Sequence, residues 1–280
     1  MHRRFDGKSV LVTGASQAKG IGACAARRFA AEGARVALAA RSADGLEAVV
    51  EEIRQAGGEA RAFPTDVSDL KACEALIRDV VTAHDGLDVL VNNAGFNARG
   101  EVEDMPWSEL AAVIQVNLLA PVVLTRCALP QLRERCGAVV QVASIAGQIP
   151  LESEAAYSAS KIGLRTFSFA LREELEGTGV RVSVVSPGPV STGFILDDLD
   201  NVPDLVFAQP MSSPERIADA VLDCAVHGPR ERSIPARSSF MARAGALFPS
   251  LRHAVTPLLE KQGRAAKAAW RERAKRDVPA

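Results

Sequence analysis

The chain has 280 residues, 48% hydrophobic and 24% charged, which is enough apolar material to bury a full core in one domain. Its N-terminus, MHRRFDGKSV, lacks an apolar run of signal-peptide length, and no later stretch reads as the roughly 20 apolar residues of a bilayer span. The five cysteines and four histidines are scattered, without the spacing of a disulfide framework or a metal site, so the expectation is a cytoplasmic protein with reduced thiols and no metal.

Short β-rich apolar runs at 8–13, 35–40, 59–63, 88–92, 138–143, 180–185 and 232–236 alternate with longer segments of helical composition. Near-continuous Val, Ala and Leu runs suit strands covered on both faces. The pattern predicts an α/β fold: a Rossmann-like, doubly wound, seven-stranded and mostly parallel sheet with helices on both faces. Residues 1–237 form a single catalytic domain in this reading, and 238–280 a basic, amphipathic C-terminal extension. The net charge of −1 conceals that asymmetry, since residues 228–280 hold twelve Lys or Arg against four Asp or Glu.

Directly after the first run stands TGASQAKGIG, residues 13–22, followed by the helical CAARRFAAEG. Glycines after a strand and before a helix allow backbone N–H groups to approach a pyrophosphate, whose charge the helix N-terminus favours. Gly14, Gly20 and Gly22 are the candidates. Farther along, Tyr157 and Lys161 stand four residues apart and so share one helical face. An ammonium beside a phenol stabilises the phenolate and eases proton transfer. Tyr157 is the only tyrosine, and Ser144, thirteen residues earlier at the end of the fifth run, can hydrogen-bond a substrate oxygen.

Together these residues resemble the short-chain dehydrogenase/reductase family, over about residues 8–213. The family pattern TGxxxGxG has three residues between its first two glycines where this chain has five between Gly14 and Gly20; the flanking residues, Ile21 among them, agree. Asp66 and Val67 match the adenine-contacting pair. Asn92-Asn93-Ala94-Gly95 matches NNAG, giving Asn93, Ala94 and Gly95 as cofactor-lining residues. Asn117 aligns with a fourth active-site member that holds a water relay near the lysine. The segment after the sixth strand, Pro187, Gly188, Val190 and Thr192, resembles the part that closes over the nicotinamide. The resemblance implies Asn117, Ser144, Tyr157 and Lys161 as the catalytic set, with Tyr157 and Lys161 also contacting the cofactor, and a homodimer or homotetramer.

At the end of the second strand a carboxylate would bind a free ribose 2′-hydroxyl and repel a 2′-phosphate. The chain reads Ala39-Ala40-Arg41-Ser42 there. With Arg41 next to that place, and Lys19 and Ser16 in the glycine loop, NADP(H) is expected over NAD(H). Phe194, Ile195, Leu196, Leu199, Val202, Leu205, Val206 and Phe207 make the following segment apolar. They read equally as lining for an apolar or amphipathic small-molecule carbonyl or alcohol and as side chains that pack the lid. In the tail, apolar residues at helical spacing are interrupted by Pro249 and Pro257, so short pieces packed on the body or a neighbouring subunit are expected; peripheral membrane contact is the lesser alternative, and nucleic acid is not an expected partner. The rival readings are a cofactor-binding sensor without turnover and, from the extended branch of the family, a sugar-nucleotide epimerase or dehydratase.

Overall fold

The computed structural model describes residues 3–276. Seven strands, β1 (Ser9–Thr13), β2 (Arg35–Ala40), β3 (Glu59–Pro64), β4 (Val89–Asn92), β5 (Ala138–Val142), β6 (Arg181–Pro187) and β7 (Glu231–Ile234), form one sheet in the order β3-β2-β1-β4-β5-β6-β7. Every neighbouring pair is parallel, with Val10 opposite both Val36 and Val89.

Alternation along each strand divides the core. Val10 and Val12 face α1 (Ile21–Ala31), α2 (Ala43–Gln55) and α9 (Pro214–His227), meeting Phe29, Leu46 and Ile217. Leu11 faces the other way, toward α3 (Leu70–His84), α5 (Ala120–Glu134) and α6 (Ala155–Glu174), with Ile77, Leu124 and Leu171. The strand order runs outward in opposite directions from β1 and β4, and their carboxyl ends open the crevice where such sheets bind ligands.

The helix α4 (Trp107–Ile114) runs through a π-helical turn, Gln115–Leu119, into α5. Contrary to the sequence expectation, this rod, Trp107–Glu134, is long and apolar enough to cross a membrane by length and composition. Its inner face, including Val113, Leu124 and Leu132, is buried in the core, whereas Leu119 and Trp107 are exposed.

Beyond β6 the chain makes two single-turn helices, α7 (Gly193–Leu196) and α8 (Asp204–Phe207), that cover one end of the crevice. The tail forms α10 (Ala236–Leu247) and α11 (Pro249–Arg276). Pro249 does mark a break, but Pro257 lies inside α11 without ending it. The missing hydrogen bond is on an exposed stretch, and packing farther along the helix against α8 holds the rod together. The side chains of Leu251 and of residues 273–276, part of the expected apolar stripe and basic run, lie outside the described residues.

Candidate active site

A single cavity of about 1120 Å³ runs across the carboxyl ends of β1, β2, β4, β5 and β6. At its β1 end, Gly14 has φ +67, and a Cβ there would stand 2.8 Å from the Ala94 Cα. A Cβ on Gly22 would strike the Gly14 carbonyl. These two glycines therefore let the loop, α1 and the end of β4 close on one another. Thr13 Oγ1 accepts from the backbone N–H groups of Asn93 and Ala94, each at 3.0 Å, while Asn93 Nδ2 donates to the carbonyls of Thr13 at 2.9 Å and Gly14 at 3.1 Å. Asn93 is thus the brace between the two strands that flank the crevice.

The two additional loop residues fold into a turn in which the Gly20 N–H donates to the Gln17 carbonyl at 2.7 Å. Gly14, Ser16, Gln17, Gly20 and Ile21 line the cavity; Lys19 is exposed outside the lining, and Gly22 is buried beneath it. α1 starts at this wall with no side-chain cap and no acidic residue in its first turn, leaving N–H groups of the kind that receive an anion.

At the β2 and β3 ends the lining includes Ala40, Arg41, Thr65, Asp66 and Val67. Asp66 Oδ1 accepts from the Ser68 N–H at 2.9 Å. That bond first, and the nearby Arg41 guanidinium as a smaller influence, hold its carboxyl below the usual range. A carboxylate-free β2 end carrying an arginine fits a dinucleotide with charge on its ribose, and the uncapped α1 terminus fits its pyrophosphate.

The chemical end is built by β5 and α6. Ser144 follows β5 and caps a short 3₁₀ turn, its Oγ accepting from the Ala146 N–H at 3.1 Å, and its hydroxyl lies near enough to Tyr157 to favour the ionised phenol. Tyr157 and Lys161 lie on one face of α6 with the Lys161 Nζ 5.7 Å from the phenol ring centroid. Both are buried and both line the cavity. The expected acidification of the phenol by Lys161 is not found. Burial dominates, pushing Tyr157 up to about 12, and the Ser144 hydroxyl exerts the larger of the effects that oppose it. Burial also pushes Lys161 down to about 8, and its ammonium donates to the Val142 carbonyl at 3.1 Å.

Asn117 stands in the π-helical turn, fully buried and behind the lining. Its Oδ1 accepts from the Phe96 N–H at 3.0 Å and its Nδ2 donates to the Phe96 carbonyl at 2.8 Å and to Ser160 Oγ at 3.2 Å. The wide turn gives an asparagine within a helical rod both of its amide partners. Between Asn117 and Lys161 passes Gly95, where a Cβ would lie 2.9 Å from Asn117 Oδ1 and 3.4 Å from Lys161 Nζ. Asn117 thus fixes the strand-end loop that meets the lysine. Pro187, Gly188, Val190 and Thr192 line the cavity on the β6 side. Of the apolar lid residues, Phe194, Ile195, Leu205 and Val206 line it, while Leu196, Leu199, Val202 and Phe207 pack into the lid's own cluster, which Ile195 and Val206 also join. The segment therefore both lines the cavity and packs on itself.

Several lining residues carry no sequence signal. Arg99 and Glu154 form a buried ion pair at 3.0 Å beside Tyr157. Thr256, Glu260 and Arg264 come from α11. Among the described residues no three His, Cys, Asp or Glu side chains cluster as a metal site would need. Cys24, Cys73 and Cys224 are buried free thiols, but Cys136 is exposed.

The short chain dehydrogenase family model matches residues 8–200. The ketoacyl reductase HetN of Nostoc sp. is 40% identical over 218 residues, 77% of this chain and 74% of that protein. A dehydrogenase/reductase SDR family protein 7-like of Anopheles gambiae is 33% identical over 203 residues, 70% of this chain and 63% of that one. Among solved structures, a metagenomic short-chain oxidoreductase in complex with NADP superposes with a TM-score of 0.71 at 37% identity, covering 82% of this chain and 97% of the other. A dehydrogenase/reductase from Sinorhizobium meliloti gives 0.76 at 33% identity, covering 83% and 95%. With a seven-stranded parallel sheet whose crevice gathers the glycine loop, Ser144, Tyr157 and Lys161, and with the family model spanning most of the sheet, the chain belongs to the short-chain dehydrogenase/reductase family of NAD(P)-dependent oxidoreductases.

Proposed function

We propose that this protein is an NADP(H)-dependent reductase or dehydrogenase of apolar or amphipathic carbonyl compounds and secondary alcohols. The observation that carries the reading is that Ser144, Tyr157 and Lys161 share one cavity with Arg41 and Asp66, so reacting groups and a dinucleotide-sized anion cradle face the same space. NADP(H), when bound, supplies or accepts the hydride. Gly14, Ser16, Gly20 and Ile21 with the α1 N-terminus would hold its pyrophosphate, Arg41 its 2′-phosphate, and Asp66 and Val67 its adenine.

In reduction, Tyr157 donates its phenolic proton to the carbonyl oxygen while the Ser144 hydroxyl orients that oxygen and stabilises the charge developing on it. A phenol held near 12 by burial is reliably protonated, as an acid must be before transfer. Lys161, whose ammonium donates to the Val142 carbonyl, would hold the nicotinamide ribose from the same cavity. Asn117 is a positioning residue that keeps Gly95 and the lysine in register. The same groups work in reverse for alcohol oxidation, with Tyr157 accepting the proton. The half-exposed outer side of the Trp107–Glu134 rod, with Leu119 uncovered, supports pairing with a second copy, as a homodimer or within a homotetramer.

Oxidation of NADPH measured over a panel of ketones and aldehydes, with NADH in parallel and Tyr157→Phe as control, tests the proposal. Turnover with NADPH is expected in the parent. Tyr157→Phe should lose nearly all of it while binding NADPH as before, and full activity in that variant would overturn the assignment.

A further inference from the structure

The basic C-terminal helix is fastened to the lid rather than standing free of the body. At Gly263 the backbone of α11 lies against the Asp204 carbonyl of α8, where a Cβ would have no room. One turn on, Lys267 is buried and donates to the Val202 carbonyl at 2.6 Å and the Asp200 carbonyl at 3.2 Å. Its ammonium also stands 3.6 Å from Asp204 and over the Phe207 ring. A buried ammonium needs such partners. Arg264 pairs with Asp204 at 3.2 Å and Arg271 with Asp200 at 2.6 Å. Between these polar contacts, Ala266 and Trp270 pack on Ile195, Val202 and Phe207 of the lid. Three tail cations are therefore committed to lid acceptors.

The same helix forms the cavity's outer wall. Thr256, Glu260 and Arg264 recur every fourth residue, hence on one face, and all three line the space that contains Tyr157. Glu260 has no ion-pair partner among the described residues. The lid contributes Phe194, Ile195, Leu205 and Val206 to the same lining, along with Asp197, Asp204 and Gln209; the Phe194 and Tyr157 ring centroids are 5.9 Å apart, and Ile195 and Val206 pack with Ala266 and Trp270 of α11. An apolar strip of the lid thus runs from the Tyr157 ring toward α11, which adds polar groups of its own.

We propose, building on the oxidoreductase reading above, that α11 and residues 193–209 form one substrate-binding unit, and that the substrate is an elongated amphipathic carbonyl compound. Its carbonyl sits at Tyr157, its hydrocarbon body lies along the lid, and a hydroxyl or other hydrogen-bond donor at its far end reaches Glu260. A compact substrate would leave that apolar strip of the lid uncovered.

The test compares 2-hexanone, 2-decanone and 10-hydroxy-2-decanone with NADPH in the full-length parent, Gly263→Val and Glu260→Ala. In the parent, kcat/KM should rise two- to fourfold per methylene, about the gain of burying each one, and the terminal hydroxyl should raise it further. Gly263→Val should lose about tenfold on 2-decanone and less than twofold in affinity for NADPH. Glu260→Ala should erase the hydroxyl preference and keep the chain-length dependence. Binding is read independently from Trp270, the sole tryptophan once the exposed Trp107 is replaced by Phe. Its emission should shift saturably with 2-decanone in the presence of NADP and fail to do so with Gly263→Val. Absence of any chain-length effect, or equal losses on short and long ketones in both variants, would overturn the proposal. A saturable Trp270 response without turnover would uphold the binding unit and count against the oxidoreductase reading alone.

Discussion

Arg99 Nε donates to Glu154 Oε1 at 3.0 Å, with both side chains less than a tenth exposed, 9% and 5%. Glu154 precedes α6 by one residue and Tyr157 by three, and the Arg99 guanidinium also reaches Asp198 at 2.7 Å and stands 5.6 Å from the Phe194 ring centroid. One arginine therefore joins the loop after β4, the start of the catalytic helix and the lid.

Removing one member of a buried pair leaves the other charge without compensation, which costs about 3–5 kcal/mol. Arg99→Met should destabilise the protein by that order, because Glu154, whose carboxyl burial already pushes upward, is left charged in an apolar wall. Glu154→Gln should cost less, since Asp198 still satisfies Arg99. Urea unfolding of both single variants and the double variant checks this. The double variant should fall short of the summed losses by at least about 1 kcal/mol, and simple additivity would show that the two side chains do not act as a pair.

Cofactor choice should rest on Arg41. Charge-assisted hydrogen bonds contribute roughly 1.5–3 kcal/mol, so Arg41→Ala should raise the KM for NADPH by about 10- to 150-fold and scarcely change that for NADH. Lys19 is exposed and outside the lining; Lys19→Ala should change the NADPH KM by less than about threefold if the geometry rather than the proximity in sequence decides. Steady-state kinetics with both cofactors separates the two cations.

Reduction should weaken as pH rises past Lys161's ionisation. Burial lowers that lysine to about 8, so the ammonium is present below this value and lost above it, whereas Tyr157, pushed up to about 12, keeps its proton throughout. The basic limb of kcat/KM for NADPH, which reports groups of the free enzyme, should therefore lie near pH 8. Lys161→Arg, whose guanidinium retains its charge, should abolish the limb whatever its residual rate. A limb unmoved in that variant would assign it to another group.

The strands and the Tyr157–Lys161 face were legible because each depends on local chemistry: apolar runs of one period, and a four-residue spacing that any helix turns to one side. Arg99 and Glu154 were not, since a pair 55 residues apart is made by the fold and leaves no spacing to read. The electrostatics failed for a related reason. Sequence places an ammonium one turn from a phenol, but only packing reveals that Lys161 points to the Val142 carbonyl and that desolvation outweighs its charge. Pro257 carries a local penalty that the sequence shows, whereas the Gly263 and Lys267 contacts that hold α11 against the lid are made only by the fold.

His84 should make the fold acid-sensitive. It is buried, 5% exposed, with Nδ1 3.1 Å from Ser9 Oγ and its ring edge-on to Phe63. Burial first, then the charges of Arg35 and Arg61, lowers it from 6.5 to about 4. The unfolded chain therefore takes up the proton near pH 6.5 while the folded one resists until about pH 4. The stability this provides is complete above 6.5 and is lost progressively as pH falls to 4. Linkage gives a loss of about 2 kcal/mol at pH 5 relative to pH 7.5. His84→Asn, whose amide can still meet Ser9 but does not titrate, should remove that part of the pH dependence. Urea unfolding at the two pH values measures it: a difference between the two pH values that is as large in His84→Asn as in the parent would place the acid sensitivity elsewhere.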